Sequence, residues 1–184
     1  MTTNERLVFK PIDEEDIEWL RETRNKYKDN FFDSHEITVE QHRSWYTRYR
    51  DIGTDKMFIV KLKSGEPIGT IALYNIDVST RTATLGRILL LDEYRKHGYA
   101  EEMVTRMLDL AFNSMRLYKV RVETHYENID AVAIYARAGF KPVTKPILLL
   151  EKINPNYDAK KPLAISSYDG MSESYESQTQ NIKE

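Results

Sequence analysis

Cysteine is absent from the chain, which removes disulfides, thiolate metal sites and a cysteine nucleophile together. No apolar run reaches the roughly 18 residues that a membrane-crossing helix needs, so no membrane partner is expected. Neither sign of charge dominates: 27 Lys and Arg stand against 29 Asp and Glu, a formal net charge of −2. Proteins that grip nucleic acid usually concentrate basic residues on one face, and this balance gives no support for such a partner. The opening residues Met1 to Arg6 have no apolar stretch behind their charges and do not read as a signal peptide. A cytoplasmic location is the expectation that follows. The four histidines, at 35, 42, 97 and 125, lack tight ligand spacing, and no metal site is expected.

What is present is an ordinary globular balance of 41% apolar and 30% charged residues over 184 positions. That length supports one domain with a real core. Residues 1–153 are assigned to it. Residues 154–184, rich in Ser, Asn, Gln, Tyr, Lys and Glu, read as a flexible or loosely docked tail.

Leu7-Val8-Phe9 reads as a strand ended by Pro11, and Asp13 to Asp16 place acid at the start of a helix carrying Ile17, Leu20 and Arg24. Thr38 with Gln41 resembles a capping box opening a second helix, which Gly53 ends. Met57–Leu62, Ile68–Tyr74 and Ala83–Leu91 form three strands with short connections, hence antiparallel neighbours. From Ala100 the apolar stripe Met103, Val104, Met107, Leu108, Ala111, Phe112 and Met115 predicts an amphipathic helix lying on a sheet. Val120–Val122 is a strand, Ala131–Ala138 a short helix closed by Gly139, and Ile147–Leu150 a last strand. The class is α+β.

The junction Arg95-Lys96-His97-Gly98-Tyr99-Ala100 lies between a buried strand and the amphipathic helix. Backbone N–H groups at a helix start have no intrahelical partner and suit a phosphate-type anion, aided by the helix dipole. Gly98 lets backbone approach such a ligand, Ala100 keeps the first turn small, and Arg95 and Lys96 add charge. The alternative is a turn with a helix-breaking glycine and two solvated basic residues.

Arg95-x-x-Gly98-x-Ala100 resembles the Arg/Gln-x-x-Gly-x-Gly/Ala pyrophosphate loop of the GNAT N-acetyltransferase superfamily. A second block, Asn128 to Phe140, is similar to that family's Asn-x-x-Ala-x-x-x-Tyr-x-x-x-Gly-Phe segment. The resemblance covers roughly residues 6 to 150, its N-terminal part most like the branch acting on ribosomal-protein termini and small amines. It implies a central, twisted, mostly antiparallel sheet of six to seven strands flanked by about four helices, with acetyl-CoA as co-substrate. It further implies that Ile88, Leu89 and Leu90 offer backbone to the pantetheine arm, that residues Arg95 to Ala100 (His97 and Tyr99 included) hold the pyrophosphate, and that Asn128 and Ala131 contact the cofactor. Asn128 is also suited to be a helix N-cap.

Tyr135 matches the family's general acid to the departing sulfur, with a packing aromatic as the alternative. Many relatives carry a strand Glu where this sequence has Thr84, which cannot take a proton near neutrality. Glu123 and His125, on one face of a strand by alternation, are base candidates, followed by Glu36 and His35. By resemblance the acceptor lies between the first two helices and the central strands. Arg24, Glu36, His42 and Trp45 are the acceptor candidates there, beside Asn25, Phe31, Phe32 and Tyr46. Aromatics with a few cations point to a small-molecule amine such as a nucleotide-linked amino sugar. A protein N-terminus is the enzymatic alternative, and a coenzyme A-binding module without catalysis a third reading. The expected assembly is a monomer or homodimer.

Overall fold

The computed structural model describes residues 6–143 and 147–161. β1 (Leu7–Pro11) leads through a short 3-10 turn, Glu14–Asp16, into α1 (Ile17–Lys26). The Asp13 carboxylate accepts from the Glu15 amide at 3.0 Å, and the Asp16 carboxylate accepts from the Asp13 amide at 2.9 Å. The acidic run therefore caps the entry as well as complementing its dipole. α2 (Val39–Ile52) opens on the predicted box: the Gln41 amide donates to Thr38 Oγ1 at 3.2 Å, and the Thr38 amide to Gln41 Oε1 at 2.9 Å.

β2 (Lys56–Leu62), β3 (Pro67–Asp77) and β4 (Thr82–Leu90) follow as an antiparallel meander. α3 (Tyr99–Asp109) comes next, then β5 (Lys119–His125), α4 (Ile129–Arg137), a two-residue β6 (Lys141–Pro142) and β7 (Ile147–Ile153). The seven strands run in the order β1-β2-β3-β4-β5-β7-β6. Every pairing is antiparallel except β4 with β5.

The sheet is the middle layer. On one face α3 buries Met103, Val104, Met107 and Leu108 against Leu85, Val120 and Val122. On the other, Leu20 of α1 packs with Met57, Ile59 and Ala72, and Trp45 and Tyr49 of α2 lean on the same cluster. The apolar stripe of α3 runs past Asp109 into a π-helical turn, Leu110–Ser114, closed by the Met115 amide on the Leu110 carbonyl at 2.8 Å. Among the described residues no helix is long and apolar enough to cross a membrane.

Of the segment expected to be a tail, residues 154–161 are described and rest on the domain. Asn154 is buried, its amide donating to the carbonyls of Phe112 and Leu117, each at 3.4 Å. The remainder, residues 162–184, lies outside the described residues.

Candidate active site

β4 and β5 pair in parallel from Thr82↔Lys119 to Leu85↔Val122. Both strands then continue, β4 to Leu90 and β5 to His125, with no further pairing between them among the described residues. On its other side β4 stays joined to β3 through Thr70↔Leu89 and Gly69↔Leu90. The backbone of residues 86–90 therefore turns one row of polar groups toward a cleft between diverging strands, where a ligand can satisfy them.

A bulge bends β4 at this point: β3 advances from Thr70 to Ala72 while β4 covers Gly86 to Leu89. Arg87 sits inside it at φ 49°, and the Thr70 hydroxyl donates to its carbonyl at 2.9 Å. Ile88, Leu89 and Leu90 all lie on the cleft half of β4. The side chains of Leu89 and Leu90 are buried in the core, so backbone is what they offer.

Beyond β4 the chain makes a 3-10 turn at Asp92–Tyr94 and reaches α3 through Lys96 at φ 64° and Gly98 at φ 78°. Gly98 is the N-cap of α3 and makes no side-chain capping bond. The amides of Tyr99, Ala100 and Glu101 thus open the helix uncovered, as an anion site requires. Arg95, Lys96, His97 and Gly98 are exposed. Arg95 is anchored, with Nε on the Leu90 carbonyl at 3.3 Å and Nη2 3.1 Å from Asp92 Oδ1.

Asn128 is the N-cap of α4, and its side chain accepts the Ala131 amide at 3.2 Å. Tyr135, one turn further on, is 7% exposed and meets Phe140 edge-on at 5.8 Å. Burial, with a smaller addition from Tyr74, pushes its phenol up to about 12. Tyr74 packs with the α1–α2 cluster on the far face, so the two phenols sense each other where β4 and β5 part. Along β5, Val120, Val122 and Thr124 are buried while Arg121, Glu123 and His125 are exposed. Glu123 and His125 therefore share a face, as alternation predicts. Glu123 acts electrostatically on Tyr74, and the His125 ring lies 4.4 Å from that of Phe32.

The four acceptor candidates do not form one pocket wall. Arg24 is committed to its own loop, donating from Nη2 to the Asp33 carbonyl with its guanidinium 4.2 Å above the Phe31 ring. Burial lowers its pKa, against a smaller opposing effect of Asp33. His42 is 6% exposed, stacks on Trp45 at 4.9 Å and faces Ile17 of α1, so it is packed between the two helices and closed to an acceptor. Burial also pulls its imidazole below the ordinary range. Glu36 is exposed, and Trp45 is half-buried against the sheet.

Sequence reasoning missed Tyr74, Arg87 and Asp55. Arg87 Nη1 lies 2.8 Å from Asp55 Oδ2, with its guanidinium 4.8 Å from the Tyr74 ring and 5.5 Å from that of Trp45. Strand alternation places Tyr74 on the Ala72 face and could have found it. The bulge that turns Arg87 toward Asp55 left no mark in the sequence.

A forked strand pair, an anion-ready helix start and a buried phenol beside the fork together suit a phosphorylated acyl donor. The family model of the acetyltransferase (GNAT) domain matches residues 6–141, and the chain belongs to that family. It is an acetyl-CoA-dependent N-acetyltransferase. Spermidine N(1)-acetyltransferase of Vibrio cholerae is 22% identical over 139 residues, 74% of this chain and 80% of the relative. Its namesake in Escherichia coli K12 is 25% identical over 143 residues, 76% of this chain and 75% of the relative. Among solved structures, the V. cholerae spermidine N-acetyltransferase in complex with CoA and spermine superposes with a TM-score of 0.76 at 19% identity, covering 84% of this chain and 99% of that one. A dodecameric structure of the V. cholerae enzyme gives 0.71 at 20% identity, covering 84% and 97%.

Proposed function

We propose that the acceptor is a terminal amine of a small polyamine-class cation, and that the residues flanking the β4–β5 cleft carry the transfer. The observation behind this reading is the cleft itself, with Tyr135 on the α4 side and Glu123 and His125 exposed along its β5 edge. Acetyl-CoA supplies an acetyl group activated as a thioester. The β4 backbone at Ile88 to Leu90 fits the pantetheine arm, and the amides from Lys96 to Glu101 with Arg95 and Lys96 fit the pyrophosphate. Asn128 spends its carbonyl oxygen on the Ala131 amide, which leaves its NH2 group for the donor.

An amine attacks only after losing its proton, and Glu123 or His125 takes it, directly or through water. As the new C–N bond forms and the C–S bond breaks, the Tyr135 hydroxyl gives its proton to the departing sulfur. A phenol held up to about 12 stays protonated until it is needed. Thr84 takes no proton in this scheme.

The polyamine reading rests on the electrostatics of the acceptor face and on the activities named for the two curated relatives. Arg24 donates from Nη2 to its own backbone loop and Arg87 lies against Asp55, so each guanidinium is already partly engaged. Glu36 and Glu123 are exposed and suit a cation. An amino-sugar nucleotide, which needs an uncommitted cation, fits this face less well.

The test is free-thiol release from acetyl-CoA with spermidine, spermine, a nucleotide-linked amino sugar and a short peptide bearing a free N-terminus. Turnover with the polyamines alone is the expected result. Preference for the peptide or the sugar overturns the acceptor assignment, and firm CoA binding without any turnover favours a binding module. One relative is described as dodecameric, so light scattering on the same preparation decides between a monomer or homodimer and a larger assembly.

A further inference from the structure

The first turn of α3 contains two carboxylates, Glu101 and Glu102. They complement the helix dipole, yet they stand beside the helix start that has to receive a doubly charged pyrophosphate. Both are matched by arginines from outside the helix. Arg137 of α4 places Nε 3.2 Å from Glu101 Oε1.

Arg6, immediately before β1, does more. Its Nε is 2.8 Å from Glu102 Oε2, and its own amide donates to Glu102 Oε1 at 3.1 Å. Its Nη1 donates to the His97 carbonyl at 3.0 Å, and its guanidinium lies 4.5 Å over the Tyr99 ring. Its Nη2 is 3.6 Å from the point that a Cβ on Gly98 would occupy. One side chain therefore bonds the loop before Gly98 and the first turn after it, and lies over the open side of Gly98.

We propose that Arg6 is a positioning residue for the donor: it neutralises Glu102 and holds the His97 carbonyl, so that the α3 N-terminus presents its amides to the pyrophosphate without a competing negative charge. Arg137 serves Glu101 in the same electrostatic sense. The inference rests on reading Arg95 to Ala100 as the pyrophosphate loop. Arg6 is 44% exposed at its side chain, and ion pairs as open as this add little to stability. The consequence falls on the field at the helix start, where a bare carboxylate repels the donor.

The experiment measures CoA affinity by calorimetry and initial rates for Arg6→Ala, Arg6→Lys, Arg6→Ala/Glu102→Gln and Gly98→Val. Arg6→Ala is expected to weaken CoA binding about five- to tenfold, the size of a charge contact at about 4 Å with water between and around the charges. KM for acetyl-CoA should rise in step, with kcat at saturation within about twofold. Arg6→Ala/Glu102→Gln should recover most of the loss, and Arg6→Lys part of it. The ratio of mutant to wild-type Kd should shrink toward one as salt shortens the screening length. An unchanged affinity in Arg6→Ala overturns the proposal, as does a loss that neither Glu102→Gln nor salt reduces. Gly98→Val separates the two readings. If it abolishes CoA binding while Arg6→Ala does nothing, the loop assignment stands and the role of Arg6 falls; if it binds CoA normally, the loop assignment falls first.

Discussion

For Tyr135, proposed as the general acid, the surroundings set when the phenol can give up its proton. Its phenol is pushed up to about 12 mainly by burial, so it remains a proton donor across the range in which an amine substrate titrates. Tyr135→Phe is expected to lower kcat by about a hundredfold or more, the contribution of a well-placed general acid, with KM for both substrates within a few-fold. The pH profile gives the sharper reading. Wild-type kcat/KM should climb with pH as base and amine lose protons, with no alkaline decline from Tyr135 below about pH 10. Tyr135→Phe should keep that shape at a lower level. A kcat in Tyr135→Phe close to the wild-type value sinks the assignment, whereas an alkaline limb that vanishes in the variant keeps the role and shows only that the phenol titrates lower. The family resemblance brought Tyr135 forward, and strand alternation put Glu123 and His125 on one face, where both are exposed. Arg6 was not legible, because its partners lie some 91 and 96 positions away. Arg24 was misread as open to a ligand for a related reason: nothing in a string of letters shows a guanidinium folding back on the Asp33 carbonyl.

At the level of elements, the fork between β4 and β5 depends on how closely β3 and β4 approach at the bulge. A Cβ on Gly69 would lie 2.1 Å from the Leu89 carbonyl oxygen and 3.2 Å from the Leu90 Cα. Backbone on both sides cannot yield cheaply. Gly69→Ala should destabilise the fold by about 1–3 kcal/mol, the usual range for overpacking, and weaken CoA binding because the cleft half of β4 shifts with it. Urea unfolding and calorimetry check the two effects, and wild-type values in both would show that the close approach does not shape the cleft. Periodicity and caps revealed most elements: the α3 stripe, the Thr38–Gln41 box and the three-strand meander all stand where the residues place them. The bulge, the π-helical turn and β6 stayed hidden, because each is defined by a partner strand or by the packing of a turn. Hydrophobic pattern carries no record of either.

Across the whole molecule the sheet separates α3 and α4 on one face from α1 and α2 on the other; in the proposed function the first side takes the donor and the second the acceptor. The α1–α2 layer contains a built-in pH sensitivity at His42, buried and stacked on Trp45. Burial lowers its pKa below 6.5; a backbone contact with Ile17 works against that, Arg21 lowers it further and Glu18 raises it. The folded protein thus holds this imidazole neutral where the unfolded chain protonates it. Its contribution is fully present above about pH 6.5, the unfolded value, and is lost as pH falls through the lower folded value, because the unfolded state binds the extra proton. Asp13, Glu18 and Glu151 are lowered from 3.8 or 4.5, so their losses come at more acid pH and leave the window from 7.5 to 5 to His42. The melting temperature of the wild type should fall across that window. His42→Phe preserves an aromatic against Trp45 but cannot take a proton, and its melting temperature should fall less. Equal falls in the two proteins would place the acid sensitivity outside the α1–α2 layer.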